Sequence, residues 1–494
     1  MGHIPRMWGM NLLFPKPIIY NLCAVNPNNQ PPFVRVSILG MLALSLFLPL
    51  LGEAAATVGS SPSALTPATN PAAMDPVARR AWFVDARFGL FMHWGLYSVL
   101  GGTWNGHTLP DKSLPQGNSW YAEWIKARLQ IPDADYRALV KDFNPVNFDA
   151  EALVLEAKRA GMKYIALTAK HHDGFALWDS KVSDFSLKAT PCRRDILGEL
   201  AAACRKHGIK LGFYYSHWQD WEASGGAKPD WEPQPTDAEF EKYWQGKALP
   251  QVAELIDRYD PDLFWFDTWG NDAAKKITPA RRDELIHLIR TKSPRCLING
   301  RIAAHNPGPD VDFLEMDDNS YPSEWPGKPW QSPATMQNSW GWHATDYHWK
   351  PSGEMVRLLT KCASLGGNYL LNLGPKADGS LPGPAVRRLR ELGGWMAANG
   401  VSVQGTARVG LTPWGGWTRS PDDRIRYAQV HHWPADGLLP LGPLDKTPSS
   451  AVILETRQPL ELVKQDNVWR IRVPKVAPDP WDTVIMVRMA ATAP

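Results

Sequence analysis

The chain has 494 residues, with 53 basic and 50 acidic side chains and a net charge of +3. A chain so close to neutrality lacks the basic excess of nucleic-acid-binding and anionic-membrane proteins, so we expect neither partner. The length allows one large catalytic domain and a second, smaller one.

The first distinctive segment is an apolar run at residues 36–51. Arg35 precedes this run and three alanines, 54–56, follow it, which is the order of a secretory signal with its cleavage site. The run is shorter than the roughly 20 apolar residues of a spanning helix, so we expect a periplasmic or extracellular protein without a stable membrane anchor. We interpret residues 1–56 as an over-extended start plus a signal peptide, and residues 57–75 as a linker.

From about residue 76 onward, short apolar runs alternate with amphipathic stretches, which is the pattern of stacked βα units. Eight runs are predicted strands: 87–95, 163–172, 210–217, 262–269, 296–300, 312–316, 335–342 and 368–375. The predicted helices are 150–160, 195–207, 251–259, 281–291, 352–364 and 381–399. Because eight strands make a (β/α)₈ barrel, residues 76–400 are predicted to form a TIM-like barrel of the α/β class.

The pattern changes after Gly400, where β-rich pieces follow one another without a helix. These pieces are 401–409, 424–432, 451–454, 468–473 and 483–487. Short strands separated by turns are typical of antiparallel sandwiches. Residues 401–494 are therefore predicted to form a small C-terminal β-sandwich.

The fourth predicted strand ends on a carboxylate, Asp267, which stands between Trp265 and Trp269. A carboxylate at a strand end contributes nothing to an apolar core, but it lies where barrel enzymes carry catalytic groups. Flanking aromatic faces suit stacking on a sugar ring, and the 24 tryptophans of the chain favour the same interpretation. This arrangement fits a glycosidase nucleophile, and the alternative is an Asp that only caps or salt-bridges the strand end.

The sequence offers little support for a metal site or a cofactor-binding site. The cluster His171-His172-Asp173 is the one that suggests a metal, but neighbouring strand residues point to opposite faces unless the strand bends or bulges. The chain has no HxH or HExxH pattern, no GxGxxG that opens a helix after the first strand, and no P-loop. We therefore expect no metal site and no cofactor. Two-carboxylate glycoside hydrolysis remains, because Asp267 and the group Glu315, Asp317 and Asp318 supply its acids.

An ordered set of motifs resembles the α-L-fucosidases of glycoside hydrolase family 29. The matching pieces run from about residue 80 to 405: RFGLFMHWGLYS (87–98), WYAEW (120–124), FNPVNFDAEALVLEAKRAGMKYIALTAKHHDGFALWDS (143–180), KLGFYYS (210–216), DLFWFD (262–267), NGR (299–301), SWGW (339–342) and GGNYLLNLGPKADGSLP (366–382). The resemblance implies a retaining exo-α-L-fucosidase that hydrolyses terminal α-L-fucosyl residues of oligosaccharides or glycoconjugates by double displacement.

The resemblance also implies roles for individual residues. Asp267 is the implied nucleophile, and Arg301 is expected to orient it and to hold its pKa down. The implied fucose-binding shell, to which we add two aromatic residues from the ends of the fourth and seventh predicted strands, consists of His93, Glu123, Trp124, His171, His172, Tyr214, Trp265, Arg301 and Trp340.

The acid/base is where the chain departs from the family, because many members carry a TPE-type motif that is missing here. Glu315 is favoured by side-chain length and type, and Asp318 by its match to a shorter form of the motif. Asp317 and, in the following loop, Glu324 are further alternatives. Strand alternation places Glu315 and Asp317 on one side and Asp318 on the other, so we expect that not all three face the pocket.

Two other functions stay open from the sequence. One is a barrel glycosidase for a related sugar, such as a galactoside that differs at C5. The other is a non-catalytic fucose-binding barrel protein, which the missing TPE motif allows. Turnover of an activated aryl fucoside would separate the enzyme from the binding protein.

Overall fold

The computed structural model describes residues 74–490, and a sheet of eight parallel strands lies at its centre. The strands, β1 to β8 in chain order, are Phe88–Met92, Tyr164–Lys170, Lys210–Tyr215, Leu263–Phe266, Leu297–Ile298, Leu314–Glu315, Trp330–Thr335 and Asn368–Leu373. Neighbours in the sheet follow chain order, and β8 pairs with β1. A parallel bridge between Asn299 and Phe313 joins the chain after β5 to the chain before β6, which closes the predicted barrel.

Alternate residues of each strand point into the barrel, where aromatic side chains fill the lumen. Phe91, Tyr214, Trp265 and Phe313 belong to this inner cluster. The opposite strand faces pack against the surrounding helices in a separate, larger cluster. The lumen is therefore a packed core at mid-height, and an open pocket can exist only above it.

A helix that the sequence patterns did not predict, α1 (Pro76–Ala86), belongs to this inner cluster. Asp75 caps it by accepting hydrogen bonds from the main-chain N–H groups of Val77 and Ala78. Its Phe83 is fully buried and stacks on Phe313 with ring centroids 4.2 Å apart. Phe313 directly precedes β6, at the N-terminal end of the barrel. Its contact with Phe83 means that α1 closes this end.

The remaining helices surround the barrel, and the six predicted ones are confirmed within a few residues. The helices α2 to α12 are Tyr97–Leu100, Ile125–Arg128, Asp133–Ala138, Ala150–Arg159, Ile196–His207, Asp237–Tyr243, Leu249–Tyr259, Gly270–Lys276, Pro279–Lys292, Ser352–Ser364 and Gly383–Asn399. Within residues 74–490, no helix is both long enough and apolar enough to cross a bilayer. The predicted signal segment 1–56 and all but the last two residues of the linker 57–75 lie outside the described residues.

The prediction for the seventh strand was wrong. The strand is Trp330–Thr335, and residues 336–342, which were assigned to it, form a loop. Pro333 at its centre and polar residues at three of its six positions hide the apolar pattern of a strand, and a proline in mid-strand argues against one. As a consequence, Trp340 stands beyond the C-terminal end of the strand.

After α12 the chain forms eight antiparallel strands, as the predicted sandwich requires. These strands, β9 to β16, are Ala407–Thr412, Gly415–Arg419, Ile425–Val430, Leu438–Pro440, Pro448–Ile453, Pro459–Gln465, Val468–Arg472 and Thr483–Met489. Residues from several strands of the sheet share one core, including Trp417 in β10, Leu439 in β12 and Ile485 in β16. The described residues make one compact unit, so the division at residue 400 stays a prediction.

Candidate active site

All twelve predicted site residues line one cavity of about 650 Å³ at the C-terminal ends of the barrel strands. They come from eight separate segments of the chain. Seven of these segments lie at or near the ends of β1 to β7, and the eighth is residues 120–124. They are His93, Glu123, Trp124, His171, His172, Tyr214, Trp265, Asp267, Arg301, Glu315, Asp318 and Trp340. This volume lies in the range of cavities that enclose small ligands.

Asp267, directly after β4, is held by a donor on each carboxylate oxygen. The Tyr214 hydroxyl donates to Oδ2 at 2.9 Å, and Arg301 Nη1 donates to Oδ1 at 3.1 Å. Its main-chain oxygen accepts a hydrogen bond from Trp218 Nε1 at 2.8 Å. The side chain keeps 13% of its surface exposed to the cavity. The carboxylate is thus fixed in orientation and still accessible to a ligand.

The pKa of Asp267 differs from the sequence-based expectation. Burial raises this pKa above its ordinary value, and Arg301 opposes the rise without cancelling it. The expected direction of the Arg301 contribution is therefore right, but the net shift is upward. A raised pKa makes the carboxylate more basic, which strengthens it as a nucleophile once it is ionised.

The two adjacent histidines after β2 both reach the cavity because the strand is irregular there. The register of β2 against β3 shifts between Thr168 and Lys170, and β2 ends at Lys170. The rings of His171 and His172 lie 4.2 Å apart. Asp173 turns away and accepts a hydrogen bond from the Tyr136 hydroxyl at 2.8 Å. The three residues therefore do not converge on one point.

The hydrogen bonds around His172 define which of its ring nitrogens carries the proton. Ser216 Oγ donates to the main-chain oxygen of Gln219 at 2.8 Å, so it must accept from His172 Nδ1 at 2.6 Å. Burial lowers the pKa of His172 well below its ordinary value, so the ring is neutral. Its Nε2 lies 3.7 Å from Asp267 Oδ2 and 3.3 Å from the hydroxyl of Tyr214, whose proton goes to Asp267, so this nitrogen can accept a hydroxyl proton from a ligand.

His93, after β1, has the same arrangement. Asn372 Nδ2 donates to the main-chain oxygen of Trp340 at 2.8 Å, which leaves Asn372 Oδ1 to accept from His93 Nδ1 at 2.7 Å. Burial lowers the pKa of His93 to about 3. The neutral ring again keeps Nε2 as an acceptor. Two uncharged histidines that accept hydrogen bonds are suited to a polyhydroxylated neutral ligand.

Glu123 sits in a 3₁₀ turn, Ala122–Trp124, and is 1% exposed. Its Oε2 accepts hydrogen bonds from the main-chain N–H of Gly341 at 2.8 Å and from Ser339 Oγ at 3.4 Å. Burial raises the pKa of Glu123 to about 7. Near neutral pH this carboxyl can therefore accept or donate a hydrogen bond.

Glu315, the last residue of β6, and Asp317 and Asp318, which follow it, all line the cavity, which contradicts the alternation argument. β6 is only two residues long, and the chain turns at Asp317, whose main-chain oxygen accepts from the N–H of Ser320. Asp318 Oδ1 accepts from Arg301 Nη2 at 2.9 Å, and 36% of the Asp318 side chain is exposed. The two carboxyl oxygens of Glu315 are buried and have no hydrogen-bond partner within residues 74–490.

Comparisons with known proteins agree on one family. The family model described as "Alpha-L-fucosidase" matches residues 57–401. The tissue alpha-L-fucosidase of Rattus norvegicus is 29% identical over 418 residues, covering 79% of this chain and 84% of its own. Alpha-L-fucosidase isoenzyme 1 from Paenibacillus thiaminolyticus has a TM-score of 0.72 at 31% identity, over 84% of this chain and 100% of its own. A GH29 alpha-L-fucosidase from Bacteroides thetaiotaomicron, solved as a trapped covalent intermediate with 2-fluoro-fucosyl fluoride, has a TM-score of 0.74 at 28% identity, over 85% and 97%.

The chain belongs to the α-L-fucosidase family, glycoside hydrolase family 29. It is therefore a glycoside hydrolase, as the ordered motifs indicated. Within the described part of this α-L-fucosidase, no group of three or more His, Cys, Asp or Glu side chains is arranged to hold a metal ion.

Several cavity residues of the fucosidase were not predicted from the sequence. Tyr121, Arg128, Asp230, Trp231 and His305 line its outer part. The Arg128 guanidinium lies over the Trp231 ring, 4.9 Å from its centroid. These residues lie on loops or on a single helical turn, where no periodic pattern marks them. Tyr121 lies in the WYAEW motif, and the high tryptophan content indicated aromatic walls in general. No other sequence feature pointed to these residues.

Replacing Tyr214 by phenylalanine should move the acidic limb of the pH–activity profile to higher pH. The Tyr214 hydroxyl donates to Asp267 and lowers its pKa, so its loss raises that pKa and protonates the carboxylate at a higher pH. We expect kcat/KM for an aryl α-L-fucoside to fall most below neutral pH. The pH dependence of kcat/KM measures this, and an unshifted acidic limb would contradict the assignment of Asp267 to that limb.

Proposed function

We propose that this α-L-fucosidase is a retaining exo-enzyme that hydrolyses terminal α-L-fucosyl residues by double displacement, with Asp267 as nucleophile. The observation that carries the proposal is the Asp267 carboxylate, which is exposed to the cavity and oriented by Tyr214 and Arg301. The covalent intermediate trapped in the Bacteroides relative supports it. The barrel lumen below the site is filled and its N-terminal end is closed by α1, which suits a terminal sugar rather than a passing chain.

Substrate binding follows from the neutral hydrogen-bonding groups and the apolar rings of the inner cavity. His93 and His172 present acceptor nitrogens to ring hydroxyls, and Glu123 can bind a further hydroxyl. Phe91 and Trp265, whose ring centroids are 5.1 Å apart, offer an apolar surface for the C5 methyl group that distinguishes fucose. This combination favours fucose over a galactoside, which carries a hydroxymethyl group at C5.

In the first step, a carboxylate oxygen of Asp267 attacks the anomeric carbon. The bond from that carbon to the leaving oxygen breaks, and the leaving oxygen takes the proton of a carboxylic acid. In the second step, water attacks the same carbon and releases Asp267, while its proton returns to the carboxylate that acted as the acid. The products are fucose and the defucosylated alcohol, and both carboxyl groups are restored.

We assign the acid/base to Asp318, although sequence reasoning favoured Glu315. Arg301 donates to Asp267 through Nη1 and to Asp318 through Nη2, so one rigid, planar guanidinium holds the two carboxylates side by side. That arrangement suits the separation of about 5–5.5 Å between the carboxyl groups of retaining enzymes. Asp318 also stands at the open mouth of the cavity, where the leaving group and the incoming water must pass.

The direct test of the function is turnover of an aryl α-L-fucoside against an aryl β-D-galactoside. We expect release of the aryl alcohol from the fucoside, with kcat/KM at least about tenfold above that for the galactoside, since discrimination at the C5 substituent alone contributes about 1–3 kcal/mol. Preference for the galactoside would favour a related glycosidase. Fucose binding without release of the aryl alcohol would favour a non-catalytic binding protein.

We further propose that the enzyme is exported to the periplasm or the cell exterior, on the basis of Arg35, the apolar run 36–51 and the alanines 54–56. Mature protein from the native host should begin near residue 55–57, and N-terminal sequencing measures this. An intact N-terminus in a membrane fraction would instead indicate an anchor, and recovery from the cytosol would exclude export.

A further inference from the structure

Glu315 is an acidic residue inside the barrel for which the proposed mechanism has no use. It ends β6, two positions after Phe313, so both side chains point toward the lumen. Glu315 lines the floor of the same cavity as Asp267. Neither of its carboxyl oxygens has a hydrogen-bond partner among the described residues, and both are shielded from solvent.

Most of the donors around Glu315 have another acceptor. The terminal nitrogens of Arg301 donate to Asp267, Asp318 and the main-chain oxygen of Met316. Asn299 Nδ2 donates to the main-chain oxygen of Phe266 at 2.9 Å. Trp265 Nε1 donates to Gln331 Oε1 at 3.1 Å. A carboxylate placed here would be buried near Arg301, Asn299 and Trp265 but without a hydrogen bond of good geometry, which is unfavourable.

The charge state of Glu315 follows from this environment. Burial raises the pKa of Glu315 well above its ordinary value. The Arg301 charge and the Asn299 and Trp265 N–H groups oppose the rise, and the Asp267 charge adds to it. The other groups that face it are Tyr164 across the lumen and Asp317 and Asp318 on its own segment. Burial outweighs the opposing groups, so this environment favours the protonated form of Glu315.

We propose that Glu315 is a positioning residue of the fucosidase site, a carboxylic acid that stays uncharged and so leaves the Arg301 guanidinium to Asp267 and Asp318. This inference rests on the proposed function and assigns Glu315 a role different from the acid/base. An ionised Glu315 would compete for Arg301 and place a second negative charge beside the nucleophile. A neutral one lets a single cation hold both reacting carboxylates.

The kinetic test compares Glu315→Gln, which imitates the protonated acid, with Glu315→Leu, which removes its polar atoms. Each is assayed with an aryl α-L-fucoside of good leaving group and an alkyl α-L-fucoside of poor leaving group. We expect Glu315→Gln to lower kcat/KM by less than about tenfold and equally on both substrates, and Glu315→Leu to lose more. A selective loss of the alkyl substrate in Glu315→Gln, as an acid/base would show, overturns the proposal.

Thermal unfolding supplies a readout that does not need activity. The unfolded chain loses the Glu315 proton near pH 4.3, whereas the folded chain keeps it, so Glu315 costs the wild type stability as the pH rises above that value. The Tm of Glu315→Gln relative to wild type should therefore increase by a few degrees between pH 4 and pH 8. Glu324→Gln, at an exposed position of the following loop, is the matched control and should show a flat difference. A flat difference for Glu315→Gln overturns the proposal.

Infrared spectroscopy reports the proton itself. The difference spectrum of wild type minus Glu315→Gln at pH 7 should contain the C=O stretch of a protonated carboxylic acid. A carboxylate band in its place overturns the proposal. Absence of α-L-fucosidase turnover by the wild type would instead refute the proposed function, while the unfolding and infrared measurements would still determine the state of Glu315.

Discussion

Replacement of Asp267 by alanine is expected to lower kcat for an aryl α-L-fucoside by about 10⁴-fold or more while the fold stays intact. The variant loses the group that forms the covalent bond to the anomeric carbon, and no other carboxylate in the cavity bridges Tyr214 and Arg301. Steady-state kinetics measures the loss. Circular dichroism and Tm show whether the fold is kept.

External azide should restore part of this turnover, because the small anion can enter the space that the carboxylate leaves. The product should be the azide of inverted anomeric configuration. The matched control is Asp262→Ala, at the other end of the same strand, where Asp262 pairs with Lys210 at 2.9 Å outside the cavity. That variant should keep kcat within a few-fold of wild type. Near-normal activity of Asp267→Ala would reject the nucleophile assignment.

Asp318→Ala should lower the rate of hydrolysis by different amounts for substrates with poor and with good leaving groups. General acid catalysis contributes about 10²–10⁴-fold, and a poor leaving oxygen depends on it while an activated aryl oxygen does not. We therefore expect a loss of that size on an alkyl α-L-fucoside and a much smaller loss on an activated aryl one. Azide should speed the second step of the aryl reaction and yield the azide of retained configuration, opposite to that from Asp267→Ala.

Asp317→Ala is the matched control for this experiment. Asp317 lines the same cavity one residue earlier, but Arg301 donates to Asp318 and to the main chain of Met316 rather than to the Asp317 side chain. Its variant should affect both substrates alike. An equal loss on both substrates in Asp318→Ala, together with a selective loss on the alkyl substrate in Asp317→Ala, would make Asp317 the acid/base instead of Asp318.

Much of the barrel could be predicted because its strands are buried on both faces. Largely apolar runs mark β1 to β4 and β8, and the polar residues that directly follow β1, β2 and β4 lie at the ends where the cavity forms. Asp267 stood out for this reason, since a carboxylate directly after an apolar strand has no part in a core. β7 escaped prediction because Pro333 and its polar neighbours fill a strand that the rest of the barrel holds in place.

The charge states of the site could not be predicted from residue types. Glu315 was the favoured acid by side-chain length, but its two oxygens are buried and form no hydrogen bond with any of residues 74–490, which points to a different role. The protonation of His172 depends on Ser216, which ends the motif KLGFYYS but received no role from it, and on Gln219, which lies in no quoted motif. The direction of the Asp267 shift depends on burial outweighing Arg301. Such states are properties of the packed environment, which forms only when distant segments meet.

The most direct test of the retaining mechanism is the anomer of the first product, followed by proton NMR during turnover of an aryl α-L-fucoside. Two displacements at the anomeric carbon, the first by Asp267 and the second by water, preserve the configuration. We predict that α-L-fucose accumulates first and that the β-anomer follows at the rate of mutarotation. Initial release of β-L-fucose would show a single displacement and would contradict the assignment of Asp267 as a covalent nucleophile.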